Sequence, residues 1–253
     1  HSMSGGQFSC PLVLRGPGGP GVQLAAQHSQ SLEAWFVHTP GLKVASPATP
    51  ADAKGLLKTA IRDDNPVLFL EHGLLYNLKG EVPEGDHLVP FGVAEVKRPG
   101  RDATIITYSR GVHTALKASD LLAQEGVECE VLDLRTLSPM DLPAIVESLK
   151  RTHRAVIVEE CWKTCGIGAE ISARIYEEAF DELDAPVVRV SGLDVPMPYA
   201  RNLEKLAVPG PEQVVEAIRK VTWRQTPHSP SGNGHNVALE HAGGAVPEPA
   251  LAE

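Results

Sequence analysis

His28 is the residue of this sequence best suited to proton chemistry. It stands in the run Ala-Ala-Gln-His-Ser-Gln at 25–30, shortly after a glycine- and proline-rich segment at 16–21. An imidazole can donate or accept a proton near neutral pH, as general acid–base catalysis requires. A histidine in such a position also packs against its neighbours or caps a helix, and the residues alone favour that structural role over a catalytic one.

The segment at 16–21, Gly-Pro-Gly-Gly-Pro-Gly, follows an apolar stretch at 11–15 that predicts a buried strand. Because glycine has no Cβ atom, such a segment lets the backbone approach a ligand closely. A plain surface turn is an equally good interpretation. Phosphate binding is a weaker one, because the glycine spacings of the P-loop and of dinucleotide-binding loops are missing.

A second candidate site is the turn Ala-Ile-Arg-Asp-Asp-Asn at 60–65, which precedes Pro66. Apolar residues at three-to-four spacing predict a helix that stops here. The last carbonyl groups of a helix have no partner inside it, and hard cations take such oxygen ligands. The turn therefore either binds a cation or only ends the helix.

Two further motifs carry weaker signals. Cys161 and Cys165 would share one face of a helix, but no second ligand pair with metal spacing accompanies them. Reduced packing residues in a cytosolic chain are therefore favoured over a zinc site, and the four cysteines of the chain are too few for a disulfide framework. The run Gly-Ile-Gly-Ala-Glu at 166–170 lacks a third glycine, so it predicts a close strand-to-helix turn and not a nucleotide loop.

The elements that position these residues form two α/β units. In the first, strands at 42–45 and 67–70 flank a helix that Thr49 caps and Pro50 opens, a βαβ pattern typical of a parallel sheet. A polar link at 79–90 predicts the boundary. Strands and helices then alternate through a second, self-contained unit: strands at 103–108, 129–134, 155–160 and 187–190, and helices at 111–125, 141–150, 168–180 and 211–223.

The predicted domains are therefore 1–90 and 91–223, followed by a tail at 224–253 whose composition is typical of disorder. The first unit supplies only about two strands before the link, too few to cover both faces of a parallel sheet. We expect its other half to be truncated or to come from another chain.

Bulk properties exclude several classes of function. The net charge of −9 disfavours nucleic-acid binding, which needs basic surface, although it suits a basic protein partner. No apolar run approaches the length of a membrane span, and the first residues lack the pattern of a secretory signal. We expect a cytoplasmic protein that binds neither membrane nor nucleic acid.

Nine motifs in order along residues 3–222 are together far more specific than any one of them. They include Leu-Arg-Gly-Pro at 14–17, Ala-Ala-Gln-His-Ser-Gln at 25–30, Asp-Leu-Arg-Thr-Leu-Ser-Pro-Met-Asp at 133–141, and Asp-Val-Pro-Met-Pro-Tyr-Ala at 194–200. This series resembles the beta subunits of thiamine-diphosphate-dependent 2-oxo acid dehydrogenases, most closely the pyruvate type. The resemblance implies the C-terminal half of a pyrimidine-type parallel-sheet domain followed by a transketolase C-terminal-like α/β domain.

The resemblance also implies an activity and its cofactors. In that family the reaction is oxidative decarboxylation of pyruvate with acetyl transfer to lipoyl-lysine. The alpha subunit holds the diphosphate and magnesium, and the beta subunit clasps the aminopyrimidine of thiamine diphosphate. The glutamate that protonates the pyrimidine lies in a segment that this sequence does not contain, so we expect the chain as given to be inactive, even beside an alpha subunit.

Three sites follow from the resemblance. His28 would face the substrate end of the cofactor, orient the substrate or intermediate and assist acyl transfer. With the resemblance, the catalytic role of His28 is favoured over the structural one. Asp184 would contact the basic subunit-binding domain of the acyltransferase core, although a charge run such as 181–184 is also typical of a solvated loop. A potassium ion would be held, largely by main-chain oxygens, at Leu12, Ala60, Ile61, Asp63 and Asn65.

The implied partners are an alpha subunit, in an alpha2-beta2 heterotetramer, and the dihydrolipoyl acyltransferase core. Two alternatives stay open. One keeps the chemistry and changes the substrate to acetoin or a branched-chain 2-oxo acid. The other makes this chain a non-catalytic assembly module, and the absence of the glutamate-bearing segment favours that alternative for the chain by itself.

Overall fold

The first sheet gathers strands from both halves of the chain. The structure is a computed structural model that describes residues 2–223. Strands β1 (Val13–Gly18), β2 (Lys43–Ala45) and β3 (Val67–His72) lie parallel in the order β1-β3-β2, so the predicted βαβ connection is confirmed. A later strand, β7 (Thr136–Ser138), completes the sheet antiparallel to β2.

The connecting helix, α3 (Pro50–Ile61), begins as the sequence predicts. The Thr49 side chain accepts a hydrogen bond from the backbone N–H of Asp52 at 3.1 Å, and Pro50 occupies the first helical position, where it costs no hydrogen bond. Leu56 is fully buried against the sheet, where it packs with Phe69. Burial of one such side chain stabilises the fold by about 2 kcal/mol. Two shorter helices precede α3: α1 (Ala25–His28) and α2 (Glu33–Val37).

The second sheet has five strands in the order β4-β6-β5-β8-β9, all parallel except the edge strand β4. Its strands are β4 (Glu95–Arg98), β5 (Ala103–Thr107), β6 (Cys129–Asp133), β8 (Ala155–Trp162) and β9 (Val188–Gly192). Its helices are α4 (Gly111–Gln124), α5 (Leu142–Thr152), α6 (Ile167–Glu178), α7 (Arg201–Ala207) and α8 (Pro211–Val221).

Both faces of the second sheet are covered, as a parallel sheet requires. Ile105 packs among residues of α4 and α8, whereas its neighbour Ile106 packs among residues of α5 and α6. This alternation follows from the two-residue period of a strand. The central strands are therefore buried on both faces, which is why the largely continuous apolar runs in the sequence located them.

The second unit is not self-contained, contrary to the sequence prediction. Strand β7 leaves it to pair with β2, and Leu137 shares a core cluster with Val44 and Leu68 of the first sheet. Strands β7 and β4 were both missed, because three or four residues are too few to show a period. The boundary between residues 90 and 91 stays a prediction.

The stretch at 11–15 was expected to be a buried strand, and that expectation is wrong for this structure. Strand β1 has β3 as its only neighbour within residues 2–223, and Leu12 and Leu14 are 47% and 50% exposed. The strand also extends through Gly18, so half of the predicted glycine-rich loop pairs with β3. Its outer edge therefore has backbone groups that no other strand pairs within residues 2–223, and exposed leucine side chains lie beside that edge.

Within the described residues, no helix combines the length and the apolar character that crossing a membrane requires. The predicted tail at 224–253 lies outside the described residues.

Candidate active-site cleft

A cleft of about 390 Å³ opens at the carboxyl ends of β1 and β3. Ligands of open α/β sheets bind at this end of the strands. The glycine-rich segment forms one wall, and α1 and α2 form the other. The walls combine apolar side chains with polar ones, namely Val22, Leu24, Leu32, Phe36 and Leu70 with Gln27, His28, Gln30, Glu33 and Glu71.

The glycine-rich segment comes close to a histidine of the neighbouring strand. Gly19 has a φ of +82°, and a Cβ atom there would clash with the ring of His72 at the end of β3. The backbone N–H of Gly19 donates to the carbonyl of Gln30 at 3.0 Å. Only glycine meets both demands, so this close approach is required by internal packing as well as by the cleft.

His28 lies at the end of α1 and lines the cleft. Its side chain is exposed, which speaks against burial as a core residue. The adjacent Ser29 is buried, and its hydroxyl has no hydrogen-bond partner within the described residues. The catalytic role of His28 stays a prediction, and the structure gives it an accessible place beside a cleft.

Glu33 is a further ionisable group of the cleft that the sequence did not single out. One of its carboxylate oxygens is shielded from solvent and has no hydrogen-bond partner among residues 2–223. Burial, with a smaller contribution from Glu160 and Glu159, raises the pKa of Glu33 to about 7. A carboxyl group with such a pKa exchanges protons near neutral pH. An acidic residue in an otherwise apolar helix, Glu-Ala-Trp-Phe-Val, was the one available signal.

A buried ionic cluster behind the cleft joins the two sheets. Glu160, near the end of β8, pairs with Arg110 and has Oε2 2.8 Å from Nε2 of His72. Burial alone would raise the pKa of Glu160, but His72 and Arg110 outweigh it and the pKa is lowered. Sequence analysis missed the cluster because its members are far apart in the chain.

The predicted cation turn lies beside the start of β1. The backbone N–H of Cys10 donates to the carbonyl of Asp64 at 2.9 Å, and the carbonyl of Leu12 accepts from Val67 at 2.8 Å. The carbonyl of Ala60 accepts from Asp63 at 3.3 Å. The Ala60 carbonyl also accepts from the N–H of Arg62, so the carbonyl oxygens of Leu12 and Asp64 are the groups of this set that keep a lone pair for a cation.

Side chains of the same turn are already engaged. Asp63 accepts two hydrogen bonds of 2.9 Å from Asn65 and pairs with Lys43, and these contacts outweigh burial and lower its pKa. The side chain of Ile61 is exposed. Residues 2–223 contain no group of three or more histidine, cysteine or acidic side chains arranged to hold a metal. A cation here would therefore depend on main-chain oxygens.

Asp184 lies in the loop that precedes β9, where its backbone N–H donates to the carbonyl of His153 at 2.8 Å. Its carboxylate accepts from Arg154 at 2.9 Å and is 53% exposed, so part of its charge is already compensated. The structure does not bring it near His28 or the cation turn. A role in partner binding stays a prediction.

The weaker motifs are settled by local geometry. Cys161 lies in strand β8 and Cys165 in a turn, so the helical face that they could have shared does not form, and all four cysteines are unpaired. The glycine run at 166–170 lies at the predicted transition from strand to helix, with Gly166 directly before α6 and the other four residues in its first turn. The carboxylate of Glu159 occupies the start of α6, where it accepts from the N–H of Gly168 at 2.8 Å.

The chain matches two known families in succession. Residues 1–79 match the family described as "Transketolase, pyrimidine binding domain", and residues 92–214 match "Transketolase, C-terminal domain". A solved structure described as "Split gene transketolase, inactive beta4 tetramer" is similar with a TM-score of 0.70 and 25% identity, over 86% of this chain and 68% of that one. The predicted fold class is confirmed.

Several relatives share about half of their residues with this chain. The pyruvate dehydrogenase E1 component subunit beta of Porphyra purpurea is 56% identical over 86% of this chain and 66% of its own length. The corresponding values are 52%, 88% and 68% for the subunit of Rickettsia felis, and 51%, 88% and 64% for the mitochondrial subunit of Dictyostelium discoideum. The chain spans about two thirds of the length of these relatives. It belongs to the family of pyruvate dehydrogenase E1 component beta subunits.

Proposed function

We propose that this chain serves as the beta subunit in thiamine-diphosphate-dependent oxidative decarboxylation of pyruvate, with acetyl transfer to lipoyl-lysine. The observation that carries the proposal is the cleft beside His28 in a chain that is 56% identical to a named pyruvate dehydrogenase beta subunit. Acetoin and branched-chain 2-oxo acids are not favoured, because the relatives compared above are named for pyruvate.

The cleft fits part of a thiamine cofactor. A flat nitrogen heterocycle needs apolar walls for its faces and hydrogen-bonding groups for its edge. Leu32, Phe36 and Leu70 supply apolar surface, while His28 and Glu33 supply groups that give or take a proton. When bound, thiamine diphosphate supplies the nucleophilic carbon that attacks the 2-oxo group.

The role proposed for His28 is to orient the acyl group and to move a proton at its imidazole. Its exposed side chain at the cleft lets it meet a substrate held mainly by other polypeptide. Glu33 would be available to give or take a proton on that side of the cleft at neutral pH, because its carboxyl has a pKa of about 7. Magnesium and the diphosphate would be held by the alpha subunit.

Potassium at the turn formed by Leu12, Ala60, Ile61, Asp63 and Asn65 is part of the same proposal. A ligand that binds only the folded state stabilises it by mass action, by about 2.7 kcal/mol at a hundred times its dissociation constant. We therefore expect the melting temperature to rise with potassium and to fall when a large organic cation replaces it at equal ionic strength. A melting temperature that stays the same from zero to saturating potassium would show that the turn does not bind this ion.

The proposed partners are an alpha subunit, in an alpha2-beta2 heterotetramer, and the basic subunit-binding domain of the acyltransferase core, which would meet Asp184. A net charge of −9 and the exposed carboxylate of Asp184 support the second contact electrostatically. A cytoplasmic location is also proposed, and the unpaired state of the four cysteines is compatible with it.

The exposed apolar edge of β1 makes assembly testable. An exposed apolar patch of this kind marks an interaction surface. We expect the chain to self-associate or to co-purify with a co-expressed alpha subunit, and a full-length beta subunit with its alpha partner to decarboxylate pyruvate faster than acetoin or branched-chain 2-oxo acids. Light scattering that shows a stable monomer at micromolar concentration, with no binding to the alpha subunit, would contradict the assembly; a preference for another substrate would contradict the proposed substrate.

A further inference from the structure

A buried carboxylate of the second unit reaches into the wall of the cleft. Glu204, on α7, is 3% exposed. Its Oε1 atom accepts two backbone hydrogen bonds, from the N–H of Gly21 at 2.8 Å and from the N–H of Gln23 at 3.2 Å. Hydrogen bonds to a charged acceptor are about twice as strong as neutral ones. One side chain thus binds the backbone at two positions of the segment that leads into α1.

The segment held by Glu204 has a conformation that its residues do not favour. Gly21, Gln23 and Ala25 all have positive φ, at 107°, 58° and 57°. A left-handed conformation costs a non-glycine residue about 1 kcal/mol or more. Two such residues within three positions need an external contact to stay in place, and Glu204 supplies one at Gln23.

The same segment carries the functional surface of the cleft. Val22 and Leu24 line it, and α1 begins at Ala25 and ends at His28. A shift of the segment would therefore move both the apolar wall and the imidazole. Helix α7 is itself anchored, because Ala207 packs with Met197 and Val208 and its carbonyl accepts from the N–H of Leu193 at 2.9 Å.

We propose that Glu204 is a positioning residue, which fixes the segment 21–25 and through it the orientation of His28 in the cleft. The second unit thereby contributes to the chemistry of the first, in addition to assembly. This inference rests on the proposed function, because its kinetic part needs the decarboxylation reaction.

Three variants separate reach from charge. Glu204→Gln keeps the length of the side chain and an oxygen that accepts both N–H groups, whereas Glu204→Asp keeps the charge but withdraws the carboxylate by one methylene. Glu204→Ala removes both. The experiment measures the rate of hydrogen exchange at the amides of Gly21 and Gln23 without substrate. This rate should rise about tenfold or more in Glu204→Asp and Glu204→Ala, and it should stay near the wild-type rate in Glu204→Gln.

The kinetic readout places each Glu204 variant in a full-length beta subunit assembled with its alpha partner. Misplacement of a catalytic group by about 1 Å costs on the order of 100-fold in rate. We expect kcat for pyruvate to fall in the order wild type, Gln, Asp, Ala, with a loss of about 100-fold in Ala and KM within about threefold of wild type. If Glu204→Ala fails to fold, the contrast between Gln and Asp still decides.

Glu130→Ala is the matched control. Glu130 is also a buried carboxylate of the second unit at 3% exposure, but it accepts from Ser148 and from Arg151, at 2.7 Å from the latter, away from the cleft. The Glu130→Ala substitution should lower the melting temperature. It should leave the hydrogen exchange of the amides of Gly21 and Gln23, and kcat, near the wild-type values.

Two results would overturn the inference: unchanged exchange of the amides at Gly21 and Gln23 in the Asp and Ala variants, or faster exchange with unchanged kcat. Absence of pyruvate turnover by the wild-type assembly would instead overturn the proposed function. The exchange experiment would then still test the contact of Glu204 with the segment, because it needs no substrate.

Discussion

Replacing Glu160 by alanine should lower the free energy of unfolding of this chain by about 3 kcal/mol, because removing one member of a buried ionic cluster leaves the others uncompensated. Glu160 lies between Arg110, which directly precedes α4, and His72 of β3, and the side chain of His72 is only 5% exposed. Because His72 belongs to the first sheet and Glu160 to the second, the loss should weaken their junction. Urea unfolding of the wild type and the variant measures the difference.

A surface pair provides the control for Glu160. Glu147 pairs with Lys150 at 2.6 Å, but its side chain is 62% exposed. Exposed pairs of this kind contribute little to stability, because solvent screens both charges. If Glu147→Ala and Glu160→Ala destabilise the chain equally, the buried cluster has no special role in stability.

The pH dependence of the Glu160 effect has a definite sign. The pKa of Glu160 is lowered below its ordinary value of 4.5, because His72 and Arg110 outweigh the effect of burial. A carboxyl group with a lower pKa in the folded state stabilises it above the unfolded pKa and loses that contribution as the pH falls through the folded pKa. The difference in the free energy of unfolding between wild type and Glu160→Ala should therefore have its largest value at neutral pH and become smaller below about pH 4.

The sequence predicted elements whose signals are local. Thr49 and Pro50 marked the start of α3, and its apolar spacing marked the face that buries Leu56. The long buried strands β5 and β8 were predicted for the same reason, since each is a continuous apolar run between turn signals. Fold class followed from the alternation of such elements and from the ordered motifs.

What the sequence did not reveal depends on contacts between distant residues. Strand β7 is defined by its pairing with β2, and three residues carry no pattern of their own. Glu204 has no local signal either, because its partners, Gly21 and Gln23, are far earlier in the chain. The candidate site was therefore predicted as a single residue, His28, and the groups that shape its surroundings became visible only in three dimensions.

The expected effect of removing the His28 imidazole is on chemistry and not on assembly. The side chain of His28 is exposed at the cleft, and helix α1 has no buried residues. Removing the imidazole therefore leaves no cavity in a hydrophobic core. A general acid or base contributes about 100-fold or more to turnover. We therefore expect His28→Ala, in a full-length beta subunit with its alpha partner, to lower overall turnover by about 100-fold or more.

The outcome is informative only if assembly and cofactor binding are measured alongside turnover. Tetramer formation and thiamine diphosphate affinity should change little in His28→Ala. His38→Ala is the matched control, because His38 is also exposed but lies at the end of α2 and does not line the cleft. If the activity of His28→Ala stays within a few-fold of the parent, His28 takes no part in the reaction. If the tetramer is lost, the role of His28 is structural. Because a histidine that only shapes the surface should behave like His38, a large loss of turnover restricted to His28, with tetramer and cofactor affinity intact, is the result that assigns it to the reaction.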